Sequence, residues 1–304
     1  MPNDLPLVSI ILPVYNGERT LRATLESLLA QTYSHFELLI GIDGTKDGSK
    51  AIAEAFGDKR IKIYEQPTNL GLANNLNSLI SYTHPKTEFI AMAEQDDVYV
   101  PERLQWQVET LLQYPDVGLV SGIAEFVTDT QSKAFPDILV QGQLFPQGKE
   151  LFNYLYTNQL KVVNTCMILR KNVHQSHNFV FRNSYGNFNV DWDYVLRFCL
   201  VSQVYGIPKV LVKMDRTGQR QSVTTNKWGQ FKASRQLIKD FRHEFPNLIT
   251  GQDYNKALKM CRKIELGHHP KLKLILYGLC YFLHYGDMYF LRYIGRRIKT
   301  YWKK

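Results

Sequence analysis

Three acids crowd the end of one short apolar run. Ile90-Ala91-Met92-Ala93 leads straight into Glu94, Asp96 and Asp97. Carboxylates this close repel one another unless a cation sits between them. Adjacent carboxylates suit Mg2+ or Mn2+, which take oxygen ligands and share them with substrate phosphates. The alternative is an acidic loop in which Asp96 or Asp97 caps the next helix. On an extended chain Glu94 shares a face with Asp96 and not with Asp97, which makes it a supporting residue. Two further acids stand in comparable places: Asp43 closes another apolar run, and Asp191 opens a helical one. Asp43 before Gly44 also suits an Asx turn, and Asp191 also suits a helix cap.

The elements that must position these acids alternate. Residues 8–14 are a continuous apolar run rich in β-branched residues, the pattern of a buried parallel strand. Runs 36–42, 61–64 and 89–93 predict three more strands. Leu21, Leu25, Leu28 and Leu29 share one helical face, as do Leu72, Leu76, Leu79 and Ile80. Residues 49–56 form a short helix, and Pro101 suits the first turn of another, with Leu104, Val108, Leu111 and Leu112 on its buried side. Strand and helix alternating four times predict a parallel sheet with right-handed crossovers. Ligands bind such a sheet outside the carboxyl ends of its strands, where Asn16, Asp43 and Asp97 fall.

From Val117 the pattern is mixed. Strands are expected at 118–126, 164–169 and 204–214, the last interrupted by Pro208, with helices at 151–155 and after Asp191. Residues 179–189 read as a long loop, and long loops are often functional. Beyond Trp228 the chain reads as helical, with Phe231, Leu237, Ile238, Phe241 and Phe245 on one side.

Composition agrees with a globular protein. The 304 residues are 44% hydrophobic and include 16 Phe and 18 Tyr, enough for one large or two modest domains. Four scattered cysteines lack CxxC spacing, which points away from a zinc site or a disulfide framework and towards a reducing cytoplasm. No basic segment precedes the first apolar run, so export by a signal peptide is not expected. No Walker loop or GxGxxG is present, which argues against ATP or dinucleotide use. His174 and His177 lie at i, i+3 without an adjacent acid and are expected in a solvated turn.

Five pieces in order resemble the opening of family 2 glycosyltransferases. They are Pro13-Val14-Tyr15-Asn16, Leu25 to Tyr33, Phe36 to Ile40, Asp43 to Ser49, and Asn69-Leu70-Gly71-Leu72-Ala73. The resemblance covers residues 7–225 and implies a GT-A fold, a nucleotide-sugar donor and an inverting transfer. It implies a nucleotide-binding, Rossmann-like half over 1–115, an acceptor-side half with a mixed sheet over 116–225, and beyond it a helical basic extension over 226–304. Pro13, Tyr15 and Asn16 then lie on the nucleotide side. Asp43 becomes the acid that contacts the base, where an acceptor-only side chain receives the N–H of a uracil ring. Asn69 either touches the nucleoside or caps the next helix, and Asn77 is structural or supporting. Asp97 becomes the ligand of Mn2+ or Mg2+, and Asp96 faces the ribose or the metal. A cation there neutralises the charge that builds on a departing nucleoside diphosphate.

Val190 to Arg197 resembles the family's ED-W-D-L-x-L-R segment, with Val190 in place of the first acid. Asp191 is then the general base that takes the proton of the acceptor hydroxyl, while Asp193 and Arg197, four apart, pair along the helix. Asp215-Arg216 and Ser222-Val223-Thr224 resemble the loop after the last strand. Gly218 and Gln219 stand where many relatives carry a His, with Arg216 or Arg220 as substitute charge.

The net charge of +9 belongs to the tail. Residues 256–304 carry +10, leaving −1 for the first 255. Residues 274–294 are apolar and aromatic but interrupted by His284, Asp287 and Arg292, with an uncharged stretch short of the ~18 residues of a spanning helix. Tyr277, Tyr281, Tyr285, Tyr289 and Tyr293 recur every fourth residue, and with the basic end they suggest an interfacial helix on an anionic membrane. The alternative is a helical cap packed within the protein. No nucleic-acid recognition module accompanies the charge.

The expected activity is metal-dependent, inverting transfer from a UDP-linked sugar to a hydroxyl of a glycan or lipid-linked glycan. It belongs to envelope or capsular polysaccharide synthesis, in the cytoplasm at the inner face of the membrane. The alternatives are a catalytically silent nucleotide-sugar-binding or scaffold subunit and a sugar nucleotidyltransferase. The latter would carry a Gly- and Arg-rich phosphate loop, which Tyr15-Asn16-Gly17 is not.

Overall fold

A computed structural model describes residues 5–135, 144–145, 148–215 and 226–302. The chain divides into two compact units, one of residues 1–152 and 161–221 and the other of residues 153–160 and 222–304.

The first unit is built on one twisted sheet. Its opening strands are β1 (Leu7–Val14), β2 (Phe36–Asp43), β3 (Ile61–Gln66) and β4 (Thr87–Met92). Helices α1 (Leu21–Leu29), α2 (Ser49–Glu54) and α3 (Leu72–Ser81) connect them. All four strands run parallel in the order β3-β2-β1-β4. The chain moves outward from β1 to β3, then returns to the other side of β1 for β4. Such a reversal opens a crevice between the carboxyl ends of β1 and β4, the standard ligand position of open α/β sheets. Both faces of this sheet are covered, so β1 and β2 are buried almost throughout.

A short strand β5 (Asp97–Tyr99) follows the acidic turn and precedes α4 (Arg103–Gln113). The sheet then continues with β6 (Val117–Val127), which carries β7 (Ser132–Phe135), and β8 (Leu144–Phe145). Next come α5 (Lys149–Asn158), whose residues from Asn153 onward belong to the second unit, then β9 (Ile168–Arg170), α6 (Lys171–Ser176), β10 (Ser184–Asn187), α7 (Val190–Phe198) and β11 (Gln203–Asp215). β9 joins β4 and β6, antiparallel to both, and β11 lies parallel to β6 and antiparallel to β5 and β8. The mixed half is therefore continuous with the parallel half. Pro208 falls where the β6–β11 register slips, as the missing ladder N–H requires.

Three local expectations change. Residues 179–189, expected as a loop, contain the short strand β10, Ser184–Asn187. Residues 164–169 open as a single 3-10 turn, Asn164–Cys166, before the strand begins. His174 is buried, and its Nδ1 lies 2.8 Å from the Tyr194 hydroxyl; burial pushes its pKa down to about 4. It is a packed neutral imidazole and not part of a solvated turn.

The second unit holds α8 (Lys227–Glu244), α9 (Gly251–Leu266), α10 (Lys271–Tyr285) and α11 (Tyr289–Trp302). A capping box between Thr250 and Asp253 starts α9. The single tail helix expected over 274–294 is broken at Gly286, which takes φ +63°, a left-handed conformation that glycine adopts without strain. Leu266, Leu274, Phe290 and Ile294 form a core there, with Tyr281, Tyr285, Tyr289 and Tyr293 packed against it. Most of the tyrosine stripe thus faces the unit's own core. Among the described residues no helix is long and apolar enough to cross a membrane.

Candidate active site

The loops after β1 and β2 are joined by hydrogen bonds. β1 ends at Tyr15-Asn16-Gly17, with Asn16 left-handed at φ +53°. The Asn16 backbone N–H donates to Thr45 Oγ1 (3.1 Å), and Thr45 Oγ1 donates to Asn16 Oδ1 (2.8 Å). Gly17 N donates to Ser49 Oγ (2.8 Å), and Glu18 N to Asp47 (3.0 Å). Burial works against the charge of Asp47, but hydrogen bonds from Ser49, Thr45 and the Glu18 backbone hold its pKa down to about 2. Asn16 therefore braces two loops and does not cap α1. Pro13 lies within β1 opposite Gly41, and the Tyr15 side chain is half exposed.

Asp43 is buried at the end of β2, and its two carboxylate oxygens accept from Leu70 N (2.7 Å) and Gly71 N (3.0 Å). Its first role is to hold the loop before α3. Asn69 works on the same loop, its Oδ1 accepting from Gly71 N (2.8 Å). Asn77 and Phe181 exchange two hydrogen bonds of 2.8 Å, so α3 anchors the 179–189 loop. Asn187 Oδ1 returns the contact by accepting from Leu72 N (3.2 Å).

The acidic turn is tighter than an extended chain. Asp97 N donates back to Glu94 O (3.4 Å). This turn brings oxygens of Glu94, Asp96 and Asp97 within 4.8 Å of one another, with Asp97 fully buried. Glu94 therefore joins both aspartates, where an extended chain would set it apart from Asp97. Three hard carboxylates without sulfur or imidazole fit Mg2+ or Mn2+. Behind them lies a polar layer. Glu94 N donates to the Tyr99 hydroxyl (2.8 Å), which lies 2.5 Å from Thr165 Oγ1. The buried Arg103 guanidinium stacks on the Tyr99 ring at 4.6 Å and donates to Met92 O (2.7 Å). Burial lowers its pKa, and the charge of Asp97 acts in the opposite direction.

Asp191 sits in the first turn of α7, and Asn189, at φ +57°, is the cap. Asp191 Oδ1 accepts from Trp192 N (2.9 Å). Burial pushes its carboxyl above the ordinary value; the Lys161 ammonium and the Trp192 N–H pull it back. Lys161 brackets Asp191, with Nζ 2.5 Å from Asn189 Oδ1 and 5.0 Å from the Trp192 ring centroid. Three residues on, Asn164 Nδ2 donates to Glu94 Oε1 (3.1 Å). The 161–164 segment thus ties the helix turn of Asp191 to the acidic turn. Val190 is buried where an acid would stand, and Arg197 pairs with Asp193 at 3.1 Å. Arg216, Gly218, Gln219, Arg220 and Ser222 to Thr224 lie outside the described residues.

Gln95, Asn164 and Lys161 were not legible as functional residues. Gln95 lies between acids and carries no charge or period that would single it out. Lys161 lies outside any expected element and Asn164 opens an expected strand, and only the return of the chain brings them to the site.

Comparison with known proteins agrees with this geometry. The profile described as glycosyl transferase family 2 matches residues 9–177. A glycosyltransferase of Rickettsia typhi without an assigned activity is 30% identical over 95% of this chain and 92% of its own length. The UDP-Glc:alpha-D-GlcNAc-diphosphoundecaprenol beta-1,3-glucosyltransferase WfgD of Escherichia coli is 36% identical over 50% of this chain and 56% of its own. Among solved structures, S. aureus TarS 1–349 in complex with UDP-GlcNAc superposes with a TM-score of 0.60 at 13% identity, covering 97% of this chain and 92% of that one. The mannosyltransferase PcManGT from Pyrobaculum calidifontis, in complex with GDP-Man and Mn2+, gives 0.57 at 14% identity over 97% and 84%. These likenesses establish the GT-A fold. The chain belongs to glycosyl transferase family 2 and is an enzyme that transfers glycosyl groups.

Proposed function

We propose that the protein moves a sugar from a UDP-linked donor to a hydroxyl of a glycan or lipid-linked glycan, with inversion and with a divalent cation. The observation that carries this reading is the cluster of Glu94, Asp96 and Asp97 at the β4 end of the crevice, tied through residues 161–164 to the helix turn that carries the partly buried Asp191. Asp97 and Asp96, with Glu94 beside them, would hold Mn2+ or Mg2+, whose charge offsets that of a departing diphosphate. Pro13, Tyr15, Asn16, Asp43 and Asn69 border the nucleoside side. Asp43 keeps lone pairs for a base N–H, since each oxygen accepts only one backbone bond. Asp191 takes the acceptor hydroxyl proton as that oxygen bonds to the anomeric carbon. The bond from that carbon to the diphosphate oxygen breaks, and UDP leaves with the electron pair.

The lipid-diphosphate acceptor in the name of WfgD and the basic tail support a place in envelope polysaccharide synthesis, with the protein held peripherally at the inner face of the membrane. The test is a screen of UDP-, GDP- and dTDP-sugars with Mn2+, reading thermal shift and nucleoside diphosphate release. A UDP-sugar should stabilise the protein only with metal and release UDP when acceptor is added. Stabilisation without turnover by any donor would favour a silent nucleotide-sugar-binding subunit, the reading that Val190 supports.

A further inference from the structure

Helices α10 and α11 form a hairpin whose inner side is closed. Leu274 and Gly278 are buried, and a Cβ at Gly278 would lie 2.6 Å from Ile294 Cδ1. Leu274, Gly278, Tyr281 and Tyr285 follow the i, i+4, i+7, i+11 spacing of one helical side. Leu272, Leu276, Leu279 and Leu283 repeat the same spacing roughly 200° away. They are 84%, 60%, 44% and 80% exposed. Four leucines in one solvent-facing row, roughly 16 Å long, are not explained by the unit's own packing.

The unit that carries this ridge is basic. Lys271 and Lys273 stand exposed at its start. On α11, Arg292, Arg296 and Lys299 are exposed at i, i+4, i+7 and form an outward stripe. The charge of +10 over residues 256–304 disfavours a second copy of the chain as the partner, because both surfaces would bring the same sign together. It complements an anionic lipid surface, which attracts basic residues near its headgroups.

We propose that the leucine ridge of α10 is the face that enters an anionic bilayer, with Lys271 and Lys273, which flank its first leucine, on the headgroups. This deepens the peripheral reading above and relocates the contact from the tyrosines to the leucines. The tyrosines hold the hairpin together, and the leucines are left for the lipid. A helix lying in the interface buries such a row and keeps the charged side chains at the phosphates.

The test is flotation of the full chain with vesicles of phosphatidylcholine alone or mixed with phosphatidylglycerol. Wild type should bind the mixed vesicles, less so at high salt, and L276E/L283E should lose at least about tenfold in binding. Both positions are solvent-facing, so the fold should persist, checked by circular dichroism. Donor-dependent transfer to a soluble acceptor should be unchanged, which separates failure of the ridge from failure of the enzymatic reading. Wild-type-like flotation of L276E/L283E would overturn the proposal, as would absence of wild-type binding. Light scattering that shows a dimer dissolved by L276E/L283E would make the ridge a self-association face instead.

Discussion

Gln95 and Tyr15 exchange two hydrogen bonds across the mouth of the crevice. The Tyr15 backbone N–H donates to Gln95 Oε1 at 2.8 Å, and Gln95 Nε2 donates to the Tyr15 carbonyl at 2.9 Å. The pair joins the ends of β1 and β4, the two strands between which the sheet reverses its order. It fixes the loop after β1 against the acidic turn. Replacing Gln95 by Ala removes both bonds, each worth about 1 kcal/mol. UDP affinity with Mn2+ should fall by about tenfold while the fold survives. Calorimetric titration gives the answer, and unchanged affinity would show that the clamp does not organise the site.

Asp97→Asn keeps the shape of the buried side chain and removes its charge. The thermal stabilisation that UDP gives in the presence of Mn2+ should shrink to the level seen with chelator. A full Mn2+-dependent shift in this variant would mean that Asp97 is not a ligand.

Asp191→Asn should lower transfer by about 10²–10⁴-fold, the usual weight of a general base. UDP binding should stay near wild type, since the change lies on the acceptor side. Near-normal turnover would assign the proton to another group.

Lys161→Met tests the field around that base. As the proposed base, Asp191 would work as a carboxylate, so activity should fall as pH drops through its pKa. Burial raises that pKa and Lys161 lowers it, so loss of the ammonium should raise it further. The acidic limb of the pH–rate profile should then move to higher pH, and Lys161→Arg should restore it. A slower enzyme with an unmoved limb would make Lys161 a packing residue only.

Asp43→Ala leaves two backbone N–H groups without their carboxylate, at a cost of about 2–3 kcal/mol. The melting temperature should drop by roughly 5–10 °C, and Asp43→Asn should recover part of it by keeping an acceptor. If both variants melt like wild type, the Asp43 bonds to Leu70 and Gly71 do not hold the loop.

Much of the first unit was legible because its strands and helices carry their own signals. The run 8–14 and the leucines of α1 and α3 bury whole faces, so their periods survive into the fold. The place of the acids followed, since a parallel sheet puts strand ends at the ligand edge. What stayed hidden depended on local turns and distant returns. Glu94 joined the cluster because the chain turns at 94–97 instead of running straight. The tyrosines of the tail turned inward because Gly286 breaks the helix and folds Phe290 and Ile294 onto Leu274.

The sequence alone determined the family, through its resemblance in five ordered segments from Pro13 to Ala73, and the strand–helix alternation that carries the acids at 94–97 and Asp43. That followed from residue type and near-neighbour spacing, which are local properties. Tertiary structure decided how the acids are held: Gln95 on Tyr15, Asn164 on Glu94, Lys161 beside Asp191. It also decided which side of α10 is left open. Such contacts join residues far apart in the chain, and their partners are chosen by how the elements pack, which spacing along one segment does not encode.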